Sequence, residues 1–244
     1  MAKKIYVSPS DQIKNLYAAG STNEAIQCRR IAQALVVSLE RCGFEAKTNL
    51  TSSMADRVRE SDEWEADLHL PLHTNAYNEE VAGTRLMSYD LKNEGYKVCL
   101  AIFKYLAPIT PGTSENISAH PELYEIRKAK APTAYIEVDF HDVDQVALWL
   151  IDNTQGIAEA ICQGVCEYYG YQYVAPAEST QGSTAAKIER YNKVSEMPSW
   201  AQPEVQQLID SGALKGDEKG NLDLSLDMLR VLIINKRYAE HLAR

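Results

Sequence analysis

Glu137 lies inside Ala-Tyr-Ile-Glu-Val-Asp-Phe, a run that otherwise has the character of a core strand. Burying an unpaired carboxylate there costs several kcal/mol, so the side chain needs a partner, a raised pKa or a cleft. A strand carboxylate with altered ionisation suits a general base or acid. Residues 66–76, Ala-Asp-Leu-His-Leu-Pro-Leu-His-Thr-Asn-Ala, alternate so that His69, Pro71 and His73 share one strand face and Leu68, Leu70 and Leu72 the other. His73 then ends a sheet strand, where open α/β sheets collect their ligands. Each histidine reads as a structural residue or as a metal ligand. Glu24 carries two readings as well. In Ser21-Thr22-Asn23-Glu24 it completes a capping box, returning a hydrogen bond to the Ser21 backbone. A carboxylate held at a helix start is equally placed to bind a metal. Ser8, Pro9, Ser10, Asp11 and Gln12 follow the first strand and fall at the same sheet edge. A nucleophilic serine is the rival chemistry there, but neither a Gly-x-Ser-x-Gly elbow nor a Gly-rich phosphate loop accompanies it.

The elements that must position these groups alternate along the chain. Strand-like runs at 4–7, 44–50, 66–73, 83–89 and 134–140 are interleaved with amphipathic helical runs at 23–42, from Ser53, at 92–106 and at 144–169. That order predicts an α/β domain with a mostly parallel sheet flanked by helices. In the first helix Cys28, Ile31, Leu35, Leu39 and Cys42 recur at three- and four-residue steps, and Gly43 stops it.

The chain's 244 residues, 45% apolar and 24% charged, are enough for one well-cored domain and a small second one. A net charge of −9 argues against gripping nucleic acid or an anionic membrane through bulk electrostatics. The first ten residues lack an apolar signal-peptide core, which predicts cytoplasmic synthesis without an export signal, and no stretch reaches the length of a membrane span. Cys28, Cys42, Cys99, Cys162 and Cys166 form an odd set without a Cys-x-x-Cys pair, and buried free thiols are the expectation.

The catalytic domain is expected to span 1–173. From 174 to 196 the composition turns to Ala, Pro, Ser, Thr, Gln and Gly, as in a linker. Residues 197–244 then space Trp200, Val205, Leu208, Ile209, Leu214, Leu222, Met228, Leu229, Leu232 and Ile233 as in two short helices, a module of marginal stability alone.

In chain order, Glu24 opening the first long helix, Leu-His-Thr-Asn-Ala at 72–76 and Pro-Thr-Ala-Tyr-Ile-Glu-Val-Asp-Phe-His-Asp at 132–142 resemble the motifs of the zinc-dependent N-acetylmuramoyl-L-alanine amidases of bacterial walls and phage endolysins. The similarity spans about residues 4–172, with Pro71 replacing the usual serine. It implies hydrolysis of the amide between N-acetylmuramic acid and L-alanine in peptidoglycan, a catalytic Zn2+ bound by Glu24 and His73, and Glu137 as the base that later serves as acid. The family's Asp-Pro-Gly-His-Gly reads here Ser8-Pro9-Ser10-Asp11-Gln12, which leaves Asp11, Gln12, or His69 or His141, as the third ligand. Asn75, Arg127 and His69 are the implied substrate contacts. Residues 197–242 look similar to small C-terminal repeats of such amidases, thought to bind the wall or to dimerise. There Trp200, Tyr191 and Tyr238 could stack on sugars, or Trp200 could simply anchor the small core. The implied setting is an endolysin made in the cytoplasm and acting on the wall after release. A non-catalytic peptidoglycan-binding protein with a degenerate metal site is the alternative.

Overall fold

A computed structural model describes residues 2–177, 190–217, 220–225, 228, 229, 232, 233 and 236. The chain divides into two units, Met1–Pro176 and Ala177–Arg244. The first runs β1 (Lys4–Pro9), α1 (Glu24–Arg41), β2 (Glu45–Thr48), α2 (Met54–Glu63), β3 (Leu68–Asn75), β4 (Arg85–Ser88), α3 (Glu94–Leu106), β5 (Asn116–Ala119), α4 (Tyr124–Lys128), β6 (Tyr135–Phe140), α5 (Asp144–Asp152) and α6 (Thr154–Tyr169). Its six strands are ordered β2-β1-β3-β6-β4-β5. The first four are mutually parallel; β4 pairs antiparallel with β6 and parallel with β5.

The two faces of this sheet differ in chemistry. Ile5, Val7, Leu68, Leu70, Leu72, Ile136 and Val138 are fully buried in one core with Ile31, Leu35 and Leu39 of α1, Val98 and Ile102 of α3, and Ile157, Ile161 and Val165 of α6. The alternate positions Tyr6, Ser8, His69, His73, Tyr135 and Glu137 form the opposite face. There α2 and α4 supply hydrogen-bonding partners: Glu60 to Tyr6, Arg57 to Ser8, and Glu125 to Ser8 and His69.

Helix α1 begins two residues later than a Ser21 capping box requires. Ser21 has a φ of 50°, and Asn23 is the cap, its Oδ1 accepting from the Ile26 amide at 3.0 Å. The capping role expected of Glu24 is therefore corrected. Its carboxylate is free of the helix backbone and turns to the site described below. The run 144–169 breaks into α5 and α6 at Asn153, whose φ of −106° and ψ of 21° leave the helical region, while its side-chain amide donates to the Trp149 carbonyl at 2.8 Å. The short β5 and α4 add to the elements expected from the sequence.

Helices α3 and α6 approach closely at Gly164, where an added Cβ would fall 2.4 Å from the Ile102 Cα. Gly164→Ala must push the helices apart and is expected to cost about 1–3 kcal/mol, read as a lowered denaturation midpoint. Unchanged stability would contradict that approach.

In the second unit β7 (Arg190–Tyr191) pairs antiparallel with β8 (Leu224–Ser225), and α7 spans Gln202–Asp210. Tyr191, Met197, Ala201, Val205, Leu224, Leu229 and Ile233 form its core. Of the two expected helices α7 is one; residues 228, 229, 232, 233 and 236 are also helical. Trp200 is 45% exposed, so Tyr191, and not Trp200, is the aromatic anchor of this core. Residues 178–189 of the expected linker, and Tyr238, lie outside the described residues. Among the described residues no helix is long and apolar enough to cross a membrane.

Candidate metal and catalytic site

The ends of β1, β3 and β6 and the start of α1 converge on one cluster. His73 and Glu137 are register partners on adjacent parallel strands, which sets their side chains next to each other on the polar face. Immediately beyond, His73 to Asn75 on β3 faces Glu137 to Phe140 on β6, so β6 holds one extra residue. Such bulges re-aim side chains beside active sites.

Glu24 Oε1 lies 2.8 Å from His73 Nδ1. The Gln12 amide nitrogen stands 3.5 Å from the same Glu24 oxygen and 3.4 Å from His73 Nδ1. Asn15 fixes this arrangement, its Nδ2 donating to Gln12 Oε1 at 2.9 Å and to Glu24 Oε2 at 2.6 Å. Behind His73 stands Glu125, whose Oε1 accepts from Ser8 Oγ at 2.5 Å and lies 3.1 Å from His69 Nε2. Its other oxygen is 3.8 Å from His73 Nε2. Arg57, fully buried, donates from Nε to Ser8 Oγ at 2.9 Å and completes the layer.

Three carboxylates thus surround one imidazole. Burial alone would lower the pKa of His73, but Glu125 and Glu24, with the charge of Glu137, raise it to about 10. Burial likewise disfavours ionisation of Glu125, yet His69 and His73 hold it at about 2. Glu24 also stays below its usual range, because hydrogen bonds from His73, Ser10 and Asn15 outweigh burial. Glu137 behaves oppositely, for burial lifts it to about 8 against the pull of His73. Glu137 Oε2, Glu125 Oε2 and His73 Nε2 are buried without a hydrogen-bond partner among the described residues.

This donor set suits a divalent cation. Glu24 offers a carboxylate oxygen and His73 an imidazole nitrogen, both ordinary zinc ligands, beside the carboxyl groups of Glu125 and Glu137. Gln12 completes the triangle as a weaker neutral donor. Presenting its oxygen requires a half-turn of the amide and the loss of the bond from Asn15.

Of the other expected residues, Asp11 is turned away, its Oδ2 accepting from the Met54 amide at 3.1 Å and pairing with Arg57 at 3.6 Å. His69 is fully buried, stacked on Tyr6 and bound to Glu125, so the expected substrate contact is corrected to an internal role. His141 is also buried, bonded to Thr74 and stacked on Tyr17. Arg127 is exposed and lines a cleft with Asn93, Gly95 and Thr133 near the start of β6, the opposite end of that strand from the bulge. Asn75 ends β3 two residues past His73, its Oδ1 accepting from the Ala76 amide. Ser8 is enclosed between Glu125 and Arg57, which removes it as an accessible nucleophile. Sequence reasoning missed Glu125, Arg57 and Asn15. The available signal was α2, in which only Met54, Ala55 and Val58 are apolar, so that a helix packed on the sheet must bury polar groups.

Glu125→Gln keeps the shape and removes the charge facing two histidines. With a folded pKa near 2, Glu125 contributes stability that is present above about pH 4.5 and lost as the pH falls toward 2. The variant is expected to lose about 3–5 kcal/mol at neutral pH and to show a flatter acid limb in urea denaturation. An unchanged acid limb would mean that Glu125 is not ionised against the histidines.

A family model described as N-acetylmuramoyl-L-alanine amidase matches residues 13–167. No curated protein sequence matches the chain. Among solved structures, the chain is similar to the catalytic domain of CwlV, an N-acetylmuramoyl-L-alanine amidase from Bacillus (Paenibacillus) polymyxa var. colistinus, with 17% identity and a TM-score of 0.63 over 70% of this chain and 99% of that one. It is similar to the amidase AmiC2 of Nostoc punctiforme, with 20% identity and a TM-score of 0.59 over 69% and 97%. It also resembles the catalytic domain of the CD27L endolysin targeting Clostridia Difficile, with 18% identity and a TM-score of 0.55 over 68% and 97%.

Proposed function

The chain belongs to the N-acetylmuramoyl-L-alanine amidase family, which hydrolyses peptidoglycan between N-acetylmuramic acid and L-alanine, and we propose that it does so with zinc at Glu24, His73 and Gln12 and with Glu137 moving the proton. The observation that carries this reading is the register pairing of His73 with Glu137 beside Glu24. It supports reading Glu137 as a proton carrier beside a pair of metal-binding groups.

When bound, zinc supplies a Lewis acid that polarises the amide carbonyl and acidifies water. Glu137 takes the proton of the attacking water and returns it to the departing L-alanine nitrogen. A carboxylate lifted toward neutral pKa can accept and release a proton at modest cost in either direction. Glu125 and Asn15 act as positioning residues: Glu125 sets the His73 ring from behind, and Asn15 aims Glu24. Asn75, at the mouth of the strand, is the remaining substrate contact of the expected set, toward the stem peptide.

The setting that fits best is an endolysin, supported by the sequence resemblance and by likeness to an endolysin catalytic domain. The second unit, with Trp200 at its surface, is then a wall-binding or dimerising module. The direct test incubates the protein with Gram-positive sacculi and counts newly exposed L-alanine amino groups. Release should stop with a chelator and return with zinc. Sacculi that are bound but yield no amine in any metal condition would replace this reading with that of a wall-binding protein.

A further inference from the structure

A second convergence of metal-binding side chains lies far from the first. Cys42 caps the C-terminus of α1, whose first residue is Glu24, so the 18 intervening steps of helix separate the two places by about 27 Å. Cys162 and Cys166 sit one turn apart on the same face of α6. The three sulfurs lie within 4.8 Å of one another, those of Cys42 and Cys162 at 3.6 Å. Thiolates sharing a metal at about 2.3 Å stand about 3.8 to 4.0 Å apart, so these side chains need only small rotations to meet on one ion. They are 7%, 0% and 1% exposed.

The set differs from Cys28 and Cys99 in geometry, since among the described residues only its three sulfurs converge. Burial drives the Cys28 thiol well above its usual value and Cys99 to about 12. Burial raises Cys42 as well, and the contact with Cys166 raises Cys162, while Cys166 itself falls below the usual range because Cys162 and Cys42 hydrogen-bond to it and Arg41 adds positive charge. Cys42 Sγ further accepts from the Val174 amide at 3.3 Å, and Arg41 Nε donates to the Val174 carbonyl at 2.8 Å, closing the chain over the sulfurs. Among the described residues no fourth His, Cys, Asp or Glu joins the three. Zinc sites that are purely structural are almost always four-coordinate, whereas soft monovalent copper accepts fewer thiolates.

We propose that Cys42, Cys162 and Cys166 form a three-thiolate site for one soft metal ion of low coordination number, with Cu(I) the ion that fits. Binding exchanges the thiol protons for the cation, with no change in oxidation state. It ties the end of α1 to α6.

The test titrates the full chain anaerobically with Cu(I) buffered by a competing chelator, with Zn(II) in a parallel arm. The expected result is one Cu(I) retained per chain, an X-ray absorption shell of three sulfurs, and a raised Tm. Retention should fall at least 100-fold in Cys42→Ser and Cys166→Ser and persist in Cys28→Ser, Cys99→Ser and His73→Ala. Should the serine variants not fold, the absorption shell of the wild-type protein decides: nitrogen or oxygen neighbours overturn the site. So does retention that survives the Cys42 and Cys166 changes, or that is lost in His73→Ala. Tighter retention of Zn(II) than of Cu(I) overturns the low-coordinate assignment.

Discussion

Glu137→Gln is expected to lower amine release from sacculi by about 10²- to 10⁴-fold, the usual worth of a positioned proton carrier, while binding to the sacculi persists. The same substitution has a stability signature that separates chemistry from misfolding. Glu137 has a folded pKa near 8, above its unfolded value near 4.5. The folded state therefore holds this proton more tightly, and the stabilisation present at low pH is lost as the pH rises from about 4.5 to 8. Above that window the buried anion opposes folding, and glutamine escapes the penalty. The variant should therefore gain stability relative to the wild type as the pH rises, measured by denaturation at pH 5 and pH 9. Hydrolysis by the wild type should climb with pH as Glu137 loses its proton, a cation beside it moving that rise to lower pH. An inactive variant that is also less stable at pH 9 would mean that Glu137 serves the fold.

Gln12→His is expected to strengthen zinc binding by at least about 100-fold, since a neutral imidazole replaces a weak amide donor at the third corner of the cluster. Competition against a chromophoric chelator measures it. Hydrolysis at limiting zinc should rise in parallel. Unchanged affinity would show that Gln12 does not occupy the third position, despite standing 3.4 Å from His73 and 3.5 Å from Glu24.

The polar face of the sheet is legible in the amino-acid order, because strand alternation separates His69, Pro71 and His73 from Leu68, Leu70 and Leu72, and Glu137 from Ile136 and Val138. The first helix is legible for the same reason, its apolar stripe being long enough to show a period. Its cap is not, since Ser21 and Asn23 are both good capping types and only the backbone decides between them. Choosing between Asp11 and Gln12 is beyond periodicity, for neighbours in a loop point wherever the turn sends them. Glu125 stays hidden because a five-residue helix shows no period, and its partners Ser8, His69 and His73 lie 117, 56 and 52 residues away. Arg57 reads as one more surface charge on a polar helix. Only the strand above it reveals why it is buried.

The ring formed by Asn15, Gln12, Glu24 and His73 closes through protein groups, each member holding a partner. If this is the zinc site proposed above, the fold holds it without help from the metal, unlike small domains that collapse only around theirs. On the proposed zinc reading, stripping the ion should therefore switch hydrolysis off reversibly and leave the denaturation midpoint of the first unit almost unchanged.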